Sequence, residues 1–482
     1  MRRIISRGVA VSIVVATLAV TSVAPVAAQS TSTSDVSSAS ASTADVKAAF
    51  AEFQDAIATA TASAAASTAP QGDDGHAQAA SYVRQLAQLL LGVHLLALDP
   101  DHPVLFRDPD PLTVPGKNPP VRSGIYSPDN ISYIAIVDGT REYTLRGKRG
   151  NSDDLSVQAI TGFPGSGTTG APTATVLEDQ ITVGADGRYT IDIGPSTDAS
   201  TGTHLPTVPE TTIISVREAF NDWSKAVPEQ LTLEAVGATG TRAPKVTNRQ
   251  LVTALDAATA GVAQQGPYWI GLWQGLLTSF PANQVRTPMP TQGGLAGQLS
   301  SLSALDLPDG QALVVSVGKS DARYQGFEIA DAFGQTLPFG THMSSLNASQ
   351  ATVGSDGRFH FVVSPTDPGV PNWIDTQGRT RGLLFLRWQG LPAALPSDQF
   401  PTGQVVPIAS VRDALPADTP TVTPAQRRAE QTKRSRDLAI RLRSSSNQAR
   451  PIIDSALHQL MGIVGDKPVL AIYAGSSLTV GG

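Results

Sequence analysis

Cysteine is absent from all 482 residues. Without it the chain can hold no disulfide framework, no thiol nucleophile and no cysteine-ligated zinc or iron–sulfur centre. Charge is sparse too: charged residues are 16% of the total and aromatic residues 5%, whereas Gly (43) and Pro (35) are plentiful. That balance favours a loop-rich β protein over a helical one. Familiar catalytic signatures are also missing: there is no G-x-S-x-G elbow, no H-E-x-x-H, and no S-x-x-K with its partner motifs. The seven histidines are scattered, with no pair at i, i+2 or i, i+4, so a histidine metal site has no local support. No cofactor or metal is therefore expected.

The first 28 residues have the form of a secretory signal. Arg2, Arg3 and Arg7 make a basic start, Val9 to Val20 an apolar stretch, and Val26-Ala27-Ala28 a small-residue cleavage site before Gln29. The apolar stretch is too short, and too closely followed by that site, for a spanning helix, although retention as an anchor is the alternative. Cleavage takes the formal charge from −6 to −9, which argues against nucleic acid as a partner. The expected location is outside the cell or in its envelope.

What the chain does contain is a phrase used twice. TVGADGRYTIDIGP (182 to 195) and TVGSDGRFHFVVSP (352 to 365) are offset by 170 residues. Each sets Asp-Gly (Asp186-Gly187, Asp356-Gly357) between short β-type runs, the local signal for a hairpin. After the turn, Tyr189, Ile191 and Ile193, or Phe359, Phe361 and Val363, alternate with smaller or polar residues, the period that buries one face of a strand. The expected architecture is thus α+β and β-dominated: two related β-modules, with helical segments between and flanking them.

Composition shifts divide the chain further. After the signal (1–28) comes a Ser/Thr/Ala-rich spacer (29–75), with a weak helical pattern near Asp45 to Ala58. A helix and connector follow (76–110), in which Asp99, Asp101, Asp108 and Asp110 alternate with prolines; the stiff, glycine-free run reads as a connector, not a calcium loop. The first β-module is placed at 111–210 and the second at 301–416. Between them, 211–300 reads as mainly helical: Ile213, Val216, Phe220 and Trp223 have helical spacing over 211 to 224, LTLEAVG (231 to 237) reads as a strand, and a second helical region, about 247 to 280, carries Trp269 and Trp273. The tail (417–482) opens a basic helix at Thr423-Pro424-Ala425-Gln426, an N-cap, a Pro at N1 and a capping-box Gln. Its arginines suit peripheral contact with an anionic surface; its apolar positions form no long stripe for insertion.

The richest constellation is in the second module: Arg323-Tyr324, His342, His360, Asn372-Trp373, Asp375 and Arg387-Trp388. Aromatic faces beside Asn, Asp and Arg suit an amphiphilic or carbohydrate-like ligand. The plain alternative is a buried turn in which Trp373 anchors the core and Arg387 satisfies Asp375. His360 alternates with Phe359 and Phe361 and so faces away from them; with His342 and Asp375 it is the candidate acid–base group.

SPDNISYIAIVDGTREYTLRGKRGNSDDLS (127 to 156), VREAFNDWSKAVPEQLTLEAVG (216 to 237) and the stretch 321 to 390, with its NW-D-T and RWQ phrases, resemble the bacterial domain of unknown function 1214 family of exported actinobacterial proteins. The resemblance covers roughly Asp99 to Gln389. It implies β-sandwich, jelly-roll-like modules and no settled activity, so no catalytic residue carries over. The expectation is an exported envelope protein that binds an amphiphilic or carbohydrate-like ligand through its β-modules. The alternative is a hydrolase or lyase with a His/Asp/Arg site in the second.

Overall fold

The computed structural model describes residues 40–67, 72–108, 124–162, 170–196, 202–240, 245–291, 294–443 and 450–473. The chain divides into Met1–Ser40 and Ala41–Gly482, and every element below belongs to the second unit. The signal segment with its cleavage site, and Asp110, lie outside the described residues.

Burial alternates along residues 143–148, 188–194 and 230–235, whereas most of the other long strands are buried almost throughout, and the strands form two sandwiches of the same wiring. The first has β1 (Phe106–Asp108), β2 (Asn130–Ile136), β3 (Tyr143–Lys148), β4 (Asp154–Ile160), β5 (Pro172–Leu177), β6 (Arg188–Gly194), β7 (His204–Pro206), β8 (Ile213–Ala219) and β9 (Gln230–Ala235). The second has β10 (Met289–Pro290), β11 (Leu299–Asp306), β12 (Gln311–Gly318), β13 (Tyr324–Ala330), β14 (Ser345–Asn347), β15 (Arg358–Ser364), β16 (Trp373–Asp375), β17 (Arg381–Gln389) and β18 (Thr402–Pro407). Sheet orders are β1-β2-β8-β4-β5 over β7-β6-β3-β9, and β10-β11-β17-β13-β14 over β16-β15-β12-β18. Replacing each strand by its counterpart turns one pair of sheets into the other, down to the short parallel pairs β6·β7 and β15·β16. The repeated turns match as well. Gly184 and Gly354 donate to Arg188 O and Arg358 O at 2.7 Å, and Gly187 and Gly357 both have φ +77°, the left-handed conformation glycine adopts freely.

Each sandwich encloses one core. Ile131, Tyr133, Leu155, Val157 and Val216 meet Leu145, Ile191 and Leu233 in the first; Phe327, Ile329, Leu384 and Leu386 meet Val315, Phe361 and Val363 in the second. A helical layer packs outside both: α1 (Thr43–Ser67), α2 (Gly72–Leu96), α3 (Asn248–Ser279), α5 (Arg450–Val464) and α6 (Asp466–Ile472). It shares a core with Ile134 and Ile213 of the first module and Ala304, Leu383 and Phe385 of the second. In α3, Trp269 and Trp273 stack at 5.6 Å, the neighbouring turns the i, i+4 spacing implies.

Three expectations need correction. Residues 213–219 are strand β8, not a helix. Nearly every β8 side chain is buried because cores press on both faces, which erases the period of two and leaves the 213, 216, 220 spacing to mimic a helix. The first module consequently extends through β9 to residue 235, and the helical region is α3 alone. Most of the spacer is helix α1, whose Val46, Phe50 and Phe53 are buried in the helical layer; a few large side chains among alanines suffice when other helices cover them.

Candidate functional site

The C-terminal helix α4 (Pro424–Arg443) begins as its sequence implies: Thr423 N–H donates to Gln426 Oε1 at 2.8 Å, and Gln426 N–H donates back to Thr423 Oγ1 at 3.3 Å. Arg427, Arg434 and Arg441 follow at intervals of seven residues, close to two turns, and so share one face. All three are buried. Arg427 bonds Asp367 at 2.9 Å and lies 5.3 Å from the centre of the Trp373 ring. Arg434 donates to Phe339 O, Ser345 Oγ and Gln350 Oε1, with its guanidinium 4.5 Å from the Trp223 ring. Arg441 donates to Asn130 O at 3.0 Å and covers the same indole at 4.9 Å. Planar, weakly hydrated guanidinium groups tolerate such stacking better than lysine would. The basic residues expected at a surface are therefore divided: these three dock the helix, while Arg428, Lys433 and Arg436 stay exposed.

Beneath α4, Asp129 joins the modules. Its buried carboxylate accepts from Trp223 Nε1 at 2.8 Å, Asn347 Nδ2 at 2.7 Å and the Tyr324 hydroxyl at 2.9 Å. Tyr324 reaches it by lying across Gly326, where an added Cβ would stand 2.0 Å from the hydroxyl oxygen. Three donors thus satisfy this buried carboxyl group, which also acts electrostatically on Arg434 and Arg441.

A cleft of about 430 Å³ opens where the first module, the second module and α4 meet. Asn221 and Trp223 come from the first, Met343, Leu346, Ser349, Gln350 and Asn372 from the second, and Arg427, Lys433 and Arg434 from the helix. Asn372 is fixed there by a left-handed backbone (φ +55°) and by two 2.7 Å bonds, from Thr352 N to its Oδ1 and from its Nδ2 to Thr352 O.

Of the candidate ligand residues, Asn372 lines this cleft and the others disperse. Trp373 packs in the core, its Nε1 donating to Ser364 O at 3.2 Å. Trp388 is fully buried inside the second sandwich, and neighbouring Arg387 points to the opposite face. Arg387 pairs with Glu328 at 2.7 Å, not with Asp375, and burial pushes Glu328 up to about 8 even though Arg387 pulls it down. Asp375 instead pairs through its carboxylate with His342 Nδ1 at 2.8 Å. His360 is half-buried beside a groove of about 70 Å³ and pairs with Asp356 of its own turn at 2.9 Å. Arg323 bridges the modules, reaching Asp154 at 3.2 Å and Glu178 at 3.3 Å.

A second polar cluster occupies one end of the first sandwich. Glu229 takes Arg149 at 2.7 Å on one oxygen and the Tyr189 hydroxyl at 3.0 Å on the other; Glu218 accepts Glu229 N–H at 2.7 Å. Burial pushes Glu218 well above the usual carboxylate range, and its Oε2 is buried without a hydrogen-bond partner. Burial also lifts Asp154 to about 6, against the downward pull of Arg323.

Sequence reasoning missed Asp129, Asn221, Gln350, Arg434 and the role of Trp223. The spacing of Arg427, Arg434 and Arg441 was the one available signal, because three cations on one helical face ask for a partner surface.

No family model matches the chain, and no curated protein matches it. Among solved structures, an uncharacterized protein from Burkholderia cenocepacia is similar over 77% of this chain and 100% of its own, with TM-score 0.67 and 24% identity. That likeness is one of fold. A Vibrio parahaemolyticus protein aligns over 68% of this chain and 97% of its own, with TM-score 0.37 and 11% identity.

Proposed function

We propose that this is an exported envelope protein that binds a small amphiphilic or carbohydrate-like ligand in the cleft between its modules. The observation that carries this is the cleft itself: about 430 Å³, with side-chain amides and hydroxyls of Asn221, Ser349, Gln350 and Asn372 beside apolar Met343 and Leu346. Such a mixed wall orients a ligand through a few polar contacts while burying its C–H surface. The signal-like N-terminus supports export, and the resemblance to the domain of unknown function 1214 family is consistent with it.

The test is native mass spectrometry of purified protein beside Ser349→Trp, which fills the cleft from an exposed position. We expect a bound mass on the wild type that the variant loses. A bound mass that the variant retains would place the ligand elsewhere.

A hydrolase or lyase is the second reading, favoured by His342 and Asp375. The buried carboxylate holds a half-exposed imidazole at 2.8 Å, the arrangement that orients a general base. His342 is not among the residues lining the cleft, which makes this the weaker reading. Loss of a measured hydrolytic activity in His342→Gln, with ligand retention unchanged, would establish it over the first.

A further inference from the structure

Charges on the wall of the cleft are paired, with one exception. Arg427 meets Asp367 and Glu430, Lys433 meets Asp437, and Asp222 meets Lys225. Arg434 contacts neutral acceptors: the Phe339 carbonyl, the Ser345 hydroxyl and the Gln350 amide oxygen. Among the described residues no carboxylate lies within ion-pair distance of it; Asp129 acts from farther off, and Arg441 opposes that effect. A guanidinium carries five N–H donors, so two remain after these three bonds. Gln350 lines the cleft with Arg434, which sets the Nη1 edge of the fork at the cleft wall.

Burial holds Arg434 down to about 10 although Asp129 pulls it up from beyond ion-pair distance, so the charged form is under-stabilised where it sits. A carboxylate arriving from the cleft would take the spare donors in a charge-assisted fork. The rest of the wall limits what accompanies that group. Formal charges among Arg427, Lys433, Arg434, Asp222, Glu430 and Asp437 balance, so no long-range field gathers a polyanion. Met343 and Leu346 offer apolar surface to whatever the carboxylate is attached to.

We infer that the cleft takes a monocarboxylate amphiphile, its headgroup on Arg434 and its alkyl part against Met343 and Leu346. This rests on the cleft being the ligand site. The probes are octanoate and octan-1-ol, which share a tail and differ in charge, measured by isothermal titration calorimetry on the full chain. Wild type should prefer octanoate by about tenfold or more, the value of one charge-assisted contact. Arg434 also holds the Phe339 carbonyl, so the decisive variant is Gln350→Glu, which leaves the arginine in place and offers Nη1 a built-in carboxylate. It should reduce the octanoate preference to within about twofold, and Ser349→Trp should lose both probes.

Equal wild-type affinity for the two probes, both lost in Ser349→Trp, would overturn the headgroup assignment and leave the cleft as the site. An octanoate preference that survives Gln350→Glu overturns the role of Arg434. Octanoate binding untouched by Ser349→Trp sinks the cleft reading with it. If neither probe binds, the monocarboxylate assignment fails, and the mass-spectrometric comparison alone decides the cleft.

Discussion

Glu218 near the end of β8 and Trp388 near the end of β17 occupy one position in two copies of a sandwich. Glu218 is registered against Ile131 and Leu155, and Trp388 against Leu299 and Gln325, the corresponding residues of the neighbouring strands. The first copy fills this end with carboxylates, Arg149 and Tyr189; the second fills it with an indole and Phe359. Tyr189 needs Gly147 beneath it, since an added Cβ would stand 2.1 Å from its ring, whereas Phe359 is registered against Val317. One backbone therefore supports either a charged network or a dry core, and the choice lies in a handful of side chains. The duplicated architecture and the chemistry it carries thus vary independently.

The largest expected break in this comparison is Trp388→Ala. A fully buried indole leaves a cavity, and we expect a loss of about 3–5 kcal/mol in denaturant unfolding. Glu218→Gln, at the matching position, should have the opposite sign at pH 8. It keeps an acceptor for Glu229 N–H and has no carboxyl whose ionisation burial opposes, so a gain of about 1–3 kcal/mol is expected, shrinking as pH falls toward the ordinary carboxylate range. Destabilisation of Glu218→Gln at pH 8 would mean that the carboxyl itself holds this end together.

Asp154 stands where Tyr324 stands in the second copy, and it sharpens the contrast through pH. Its folded pKa of about 6 lies above the ordinary 3.8, so the folded state holds the proton more tightly. Its stabilising effect is then complete below the unfolded value and fades as pH rises through 6. Asp154→Asn should flatten the stability profile between about pH 4 and 6 by up to roughly 2 kcal/mol, measured as melts against pH. The smallest effect belongs to His360→Thr, which copies Thr190 of the first hairpin. On a half-buried edge position it should shift stability by less than about 0.5 kcal/mol.

The repeated hairpins were legible because Asp-Gly fixes the turn and a large apolar residue recurs at every second position of each following strand. β8 was not, because burial on both faces removes the alternation that reveals a strand. Helix α1 was hidden for a related reason: its few large side chains acquire a core from α2, α3 and α5, which sequence spacing does not disclose. Little of the candidate site was legible. Asn372 reaches the cleft, but Tyr324 finds Asp129 across 195 residues, and Arg387 finds Glu328 on its own sheet instead of the nearer Asp375. Local composition names groups that need partners and does not say which partners they meet.

The arginine face of α4 also sets an order of events. Asn130 and Arg441 are separated by 311 residues, and Arg434 by 89 and 95 from the Ser345 and Phe339 it holds. During synthesis both sandwiches can form before this helix exists, since their strands pair within each module. The cleft therefore acquires its third wall last, and a nascent chain stopped before residue 424 would hold two paired sandwiches, the first still without Leu438 and Leu442 in its core, around an unfinished site.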